Sequence, residues 1–271
     1  MKVEEQYLKS KCICNMIYQH IKPASSMKKL YLILFPLLTL VLSFSCTPEI
    51  SKIATGTNVV QKFHKEVTLV YDANYLLYLP DEYYQTDKKW PLVLFLHGSG
   101  ERGTDIEAVK RNGPPMLVDA GKKFQFILLC PQCPDRIYWD NKFLMALLDE
   151  IESKYKVDTN REYLTGLSMG GNGTWSLAIE YPEKFAAIAP MSASGEPDDV
   201  CALKDVPVWV FHGEKDDLVP LKEDADMVNN LKNCGGNVKF TIYPDVGHGA
   251  WVQAYNDPEL YEWMLSHSIG K

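Results

Sequence analysis

Residues 161–175 read REYLTGLSMGGNGTW, and this stretch limits the fold more than any other. A strand-like run from Tyr163 to Thr165 passes straight into Gly166-Leu167-Ser168-Met169-Gly170-Gly171, after which the pattern turns helical. G-x-S-x-G between a strand and a helix describes a sharp turn in which the two backbones come very close, and Gly166 and Gly170 leave room for that approach. The turn lifts Ser168 out of its sheet at the N-terminal end of a helix, where developing negative charge is favoured. A chain carrying this turn needs a sheet before it and a helix after it.

The rest of the chain supplies both. Strand-like runs lie at 65–71, 74–79, 91–96, 125–130, 161–165, 186–190, 207–212 and 238–243. PLVLFL and VPVWVF are apolar throughout, as strands covered on both faces should be. Helical spacing appears at 104–111, 141–155, 169–181, 221–233 and 257–266; in the second of these Phe143, Leu144, Leu147, Leu148 and Ile151 share one face. Alternating strands and helices predict an α/β fold with a mostly parallel central sheet and helices on both faces. No internal repeat and no second domain is visible, so 62–271 reads as one catalytic domain.

The N-terminal segment reads differently. From Met27 the sequence is MKKLYLILFPLLTLVLSFSC, a basic start, an apolar run of about 15 residues and a small residue before Cys46, which is the layout of an export signal. The run is shorter than the roughly 20 residues that span a bilayer. Residues 1–26 read as an upstream extension from a mis-assigned start, 27–45 as a lipoprotein-type signal, and 46–61 as a tether lipidated at Cys46. The expected location is the periplasm or the outer membrane of a bacterium, with membrane contact only through that anchor. The whole chain has 28 Lys+Arg and 35 Asp+Glu, a net charge of −7; losing the six Lys and two Glu of residues 1–45 leaves 22 against 33, or −11. So acidic a chain does not suit nucleic acid. Seven cysteines are too few for a disulfide scaffold.

A serine is a poor nucleophile until a base takes its proton. His248 follows the last strand in the Gly-flanked loop DVGHGAW and is the candidate base, whereas His97 and His212 end apolar strands, where a packed, hydrogen-bonded histidine is usual. The loop HGEKDDLVP offers Glu214, Asp216 and Asp217, and its H-G-x-x-D-x-x-V-P spacing selects Asp216. Backbone N–H groups for an oxyanion are expected from Met169 and, in the Gly-rich loop HGSGERG, from Ser99. Trp139 and Trp251 are candidates for an aromatic wall against an acyl or sugar ring, with core packing as the competing role. Cys130 and Cys133 form a C-x-x-C without a second ligand pair and read as structural; Cys201 and Cys234 are free to pair in an oxidising compartment. No cofactor motif and no metal-ligand cluster is visible.

Taken together, LFLHGSGERG, PQCP, YLTGLSMGGNGTW, VWVFHGEKDDLVP and YPDVGHGAW resemble the small α/β-hydrolases of the phospholipase/carboxylesterase (acyl-protein thioesterase-like) group, and within it the bacterial "predicted peptidase" and feruloyl-esterase-like subgroup. The likeness spans about 65 to 268. It implies an α/β-hydrolase fold, a Ser168–Asp216–His248 triad, and Ser99 and Met169 as oxyanion donors. The activity implied is that of a serine carboxylesterase working through an acyl-enzyme on Ser168, with feruloyl or acetyl esters linked to carbohydrate as candidate substrates. A serine peptidase of the same fold and a non-catalytic binding lipoprotein on the same scaffold are the competing readings. Met191 to Asp205 leaves no room for a helical lid, so an open site is expected. With a histidine base, activity should rise through one ionisation at or somewhat above about pH 6.5 and be indifferent to EDTA.

Overall fold

A computed structural model describes residues 70–270. The extension, the signal segment, Cys46 and the tether lie outside the described residues. So does the strand expected at 65–71, apart from Val70 and Tyr71, which are in no strand.

Seven strands form one sheet: β1 (Tyr75–Tyr78), β2 (Trp90–Leu96), β3 (Ile127–Pro131), β4 (Val157–Leu167), β5 (Ala187–Met191), β6 (Val208–Gly213) and β7 (Val238–Tyr243). Their spatial order is β1-β3-β2-β4-β5-β6-β7. Only β1 runs antiparallel to its neighbour, pairing Tyr75 with Pro131 and Tyr78 with Leu128; every other pair is parallel. The helices are α1 (Gly113–Asp119), α2 (Asn141–Lys154), α3 (Met169–Glu180), α4 (Leu221–Asn233), α5 (Trp251–Asn256) and α6 (Pro258–Leu265).

Strand alternation divides the core in two. Leu92, Leu94 and Leu96 of β2 pack with Leu144 and Leu148 of α2, Trp175 of α3 and Met227 of α4. Val93 and Phe95 of the same strand point the other way, towards Leu117 of α1, Tyr255 of α5 and Leu260 of α6. All seven residues of β2 are buried, as a parallel strand covered on both faces requires.

Three departures from the sequence reading have local causes. The helix expected at 104–111 is a 3₁₀ helix, Ile106–Arg111, begun by Asp105, whose carboxylate accepts from Glu107 N at 3.2 Å. It does not run on into α1, because Asn112 is extended (φ −142°, ψ 160°) and Gly113 takes a φ of 70°. Helix α1 was not expected; Pro114 and Pro115 occupy its first turn, where no N–H is needed. Strand β4 begins at Val157, four residues before the expected start, because Asp158, Thr159 and Asn160 are polar and mask its strand pattern.

Behind β4, at the end away from the elbow, Glu162 is completely buried. Its Oε2 lies 2.8 Å from Nζ of Lys184, which also pairs with Glu152. Burial pushes the Glu162 carboxyl up to about 7, with Lys184 pulling it down. Removing one partner of such a pair strands the other in an apolar setting, so Lys184→Met should cost about 3–5 kcal/mol at pH 8. In that variant the folded protein holds the Glu162 proton more tightly than the unfolded chain does. Its stability deficit should therefore be largest at alkaline pH and shrink towards pH 5, which urea midpoints at the two pH values would show.

Candidate active site

The site sits at the carboxyl ends of the strands, where the chain leaves β2 in one direction and β4 in the other. Ser168 links β4 to α3 with φ 53° and ψ −121°, a strained conformation for a residue with a Cβ. It is held there by close backbone contact: a Cβ on Gly166 would lie 2.3 Å from Gly170 O, and one on Gly170 would lie 1.9 Å from Leu96 O. Ser168 N donates to Met191 O of β5 at 2.9 Å, and Asn172 N to Ser168 O at 2.9 Å. The G-x-S-x-G spacing thus does what its residue types predict.

The expected partners converge on the hydroxyl. His248 Nε2 lies 2.9 Å from Ser168 Oγ, and His248 Nδ1 lies 2.8 Å from Asp216 Oδ2. In the neutral ring, Nδ1–H donates to the carboxylate and Nε2 is left to accept the serine proton. The Asp216 side chain is fully buried, and its other oxygen accepts from Leu218 N at 3.0 Å and Val219 N at 2.9 Å. Glu214 and Asp217 are exposed, and Asp245 is paired with Lys215, so none of the three competes for His248. The loops carrying acid and base are joined backbone to backbone, Glu214 N to Tyr243 O at 3.0 Å and Lys215 N to Val246 O at 2.8 Å.

Ser99 opens a 3₁₀ turn, Ser99–Glu101, directly after β2, and Met169 is the first residue of α3. The backbone around Ser99 is anchored by His97, which is packed and hydrogen-bonded as expected, and by Gln132, which the sequence reading did not single out. Burial lowers His97 to about 4, so its ring is neutral; Nδ1 donates to Gly98 O at 2.6 Å and Nε2 accepts Cys133 N–H at 3.0 Å. The Gln132 amide donates to Glu101 O at 2.9 Å and Asp105 O at 2.7 Å, while Gly103 N donates to Cys133 O at 3.0 Å. The PQCP turn is therefore a mount for the Ser99 loop.

Trp251 stands edge-on to the His248 ring, centroids 5.0 Å apart, and its indole N–H donates to Asn112 Oδ1 at 3.2 Å. Asn112 in turn donates to the buried Glu101 at 2.9 Å, which ties the base side of the site to the Ser99 loop. Trp139 donates to His97 O at 3.3 Å and lines a recess of about 250 Å³ with Tyr71, Cys133, Ile137, Tyr138 and Phe143. Trp251 thus stands beside His248, whereas Trp139 packs on the backbone that leads to Ser99 and lines a recess to which Ser99, Ser168, Met169, Asp216 and His248 do not contribute. Cys130 and Cys133 are separate buried thiols, the second pushed up to about 11 by burial against the pull of Arg102; Cys201 and Cys234 form a disulfide.

A mostly parallel sheet covered on both faces, with a strained serine after one strand and a histidine and an aspartate on loops after the last two, is the α/β-hydrolase arrangement, and the chain has that fold. The phospholipase/carboxylesterase family pattern matches residues 135–259. The bifunctional acetylxylan esterase/xylanase of Neocallimastix patriciarum is 30% identical over 94 residues, covering 35% of this chain and 14% of that protein. The "Probable feruloyl esterase C" of Aspergillus terreus is 23% identical over 191 residues, 66% of this chain and 68% of that one. A thermostable esterase of known structure superposes with a TM-score of 0.62 at 35% identity, covering 72% of this chain and 59% of its own. The chain thus spans a minor part of the bifunctional fungal protein and less than two thirds of the thermostable esterase.

The contacts of Asp216 and the exposure of Asp217 make them separable. Asp216→Asn should slow labelling of Ser168 by a fluorophosphonate probe about 10³- to 10⁴-fold, since the imidazole loses the group that fixes its tautomer. Asp217→Asn should stay within about twofold of wild type, as a substitution of an exposed loop charge.

Proposed function

We propose that the protein is a serine carboxylic-ester hydrolase. The observation that carries this reading is the unbroken line from Asp216 through His248 to Ser168, with hydrogen bonds of 2.8 and 2.9 Å. Ser168 Oγ attacks the ester carbonyl carbon while His248 Nε2 takes its proton. The carbonyl oxygen becomes an oxyanion facing the N–H groups of Met169 and Ser99, at the positive end of α3. Collapse of this intermediate expels the alcohol, which leaves with the proton from His248. Water then attacks the acyl-enzyme, again giving a proton to His248, and the acid departs as Ser168 recovers its hydrogen.

Esters of feruloyl or acetyl groups on carbohydrate are the substrates we propose. Between β5 and β6 the described chain holds no element beyond the short 3₁₀ helix Val200–Leu203, so this segment puts no helical lid over the site, and a bulky alcohol could approach. The aromatic recess at Trp139 and the wall at Trp251 offer flat apolar surface to a ring. The named activities of the fungal relatives support the same class. Export as a bacterial lipoprotein anchored at Cys46 belongs to this reading, and the Cys201–Cys234 disulfide supports it, because such bonds persist in oxidising compartments.

Ser168→Ala should abolish hydrolysis of p-nitrophenyl acetate, methyl ferulate and acetylated xylan while leaving the thermal midpoint near that of wild type. Wild-type rates from a clean Ser168→Ala preparation would overturn the reading, as would loss of wild-type activity in EDTA with recovery on adding a divalent ion. Cys46→Ser should release the protein from the membrane fraction; unchanged partitioning would refute lipidation.

A further inference from the structure

The triad leaves one buried histidine unexplained. His212 ends β6, and its side chain is completely enclosed. Nδ1 lies 2.7 Å from Asp224 Oδ2; Nε2 lies 2.9 Å from Val219 O and 3.3 Å from Asp216 Oδ2. Both ring nitrogens therefore face acceptors. A neutral imidazole has one N–H and would set a lone pair against an oxygen; an imidazolium satisfies both sides.

Asp224 is built to hold that cation. It comes from α4, is fully enclosed, and accepts from Trp175 Nε1 of α3 at 3.0 Å and from Ala193 N, just after β5, at 2.9 Å, besides His212. Burial favours a neutral His212 ring, but Asp224, the Val219 carbonyl and Asp216 outweigh it and raise His212 above the ordinary histidine range. Burial also lifts Asp224 above the ordinary carboxylate range, against the pull of His212, Ala193 and Trp175. With three donors on its two oxygens, the carboxylate is the form this geometry satisfies. The charged groups facing His212 are Asp224 on one side and Asp216 on the other, with His248 beyond Asp216. Trp175, Ala193 and Val219 contribute only neutral dipoles.

Asp216 Oδ2 is thus shared by two histidines, His248 at 2.8 Å and His212 at 3.3 Å. We propose that His212 is a positioning residue for the triad: anchored by Asp224, its imidazolium holds Asp216 from behind and sets the acidic edge of the pH range in which His248 acts as a base. The proposal rests on the ester-hydrolase reading above. The physics is that of a shared counter-charge. A cation behind the carboxylate offsets part of its field at His248. Without that cation, His248 faces the full negative charge, its protonated form is favoured, and the base is blocked up to a higher pH.

The test compares kcat/KM for p-nitrophenyl acetate from pH 5 to 9 in wild type, His212→Gln and Asp224→Asn, with circular dichroism of each. Glutamine keeps a donor towards Val219 and Asp216 but removes the charge; Asp224→Asn discharges the ring by removing its anchor. In both, the acid limb should move to higher pH by about half to one unit. At pH 6, kcat/KM taken as a fraction of each variant's own plateau above pH 8 should then be about three- to eightfold below the same fraction for wild type. A merely structural role would lower the plateau without moving the limb, and coincident limbs in folded variants would overturn the proposal. Should the variants not fold, ¹⁵N NMR of the wild-type histidines decides: His212 protonated on both nitrogens at pH 7 supports the proposal, and one bare nitrogen overturns it. Absence of Ser168-dependent hydrolysis in wild-type protein is a separate failure, which removes the ester-hydrolase reading itself.

Discussion

The first turn of α3 rests directly on the carbonyl end of β2, with no room for a side chain between them. A Cβ at Gly170 would sit 1.9 Å from Leu96 O, so the contact exists only as backbone against backbone. Much of the site depends on this. The approach forces Ser168 into its strained conformation at φ 53° and sets the start of α3 beside the loop that leaves β2. The cost of that conformation, of order 1–3 kcal/mol, is offset by a sheet whose central strands are buried on both faces. Strain at one residue is tolerable because the residues around it have no freedom to relieve it.

From this fixed point the remaining parts arrive on separate loops, each tied to its neighbour. The acid and base loops are joined through Glu214–Tyr243 and Lys215–Val246 backbone bonds. The Ser99 loop is mounted on the PQCP turn, and Asn112 bridges Glu101 to Trp251. Placement of the reactive groups is therefore cooperative: loops that would be mobile alone hold each other through paired backbone groups and buried amides.

Much of this was legible in the sequence, and the failures are instructive. Apolar runs located β2, β3, β5 and β6, which are buried along their whole length, while the polar start of β4 hid its first four residues. That Ser168, His248 and Asp216 would meet was legible because strand, turn and loop chemistry restrict which side chains can come together. What stayed hidden were polar groups buried in pairs, since each partner alone looks like a surface residue. Asp224 is the clearest case. It falls on the stripe of α4 that also carries Met227, Val228 and Leu231, all buried, and a carboxylate at that spacing was the visible sign that something cationic lay beneath. Gln132 and Asn112 carried no comparable sign, because their partners are distant in sequence and no spacing rule joins them. Helix α1 was not expected at all; its first turn holds Pro114 and Pro115, which a helix accepts there and not in its middle.

The disulfide has a consequence for where such a protein can be made. Cys201 and Cys234 are 33 residues apart, and the loop they close contains β6, the Asp216 loop and the whole of α4. Both carboxylates that flank His212 therefore belong to one covalently closed ring. Closing a loop of that size removes unfolded-state entropy equivalent to roughly 4 kcal/mol. That is a large share of the 5–15 kcal/mol that typically separates a folded domain from its unfolded chain. In a reducing cytoplasm the ring is open and the segment bearing the acid must find its place as a free chain. Once oxidised, the same segment starts from a far smaller set of conformations. Maturation of the acid arm is in this sense coupled to the redox state of the compartment in which the chain folds.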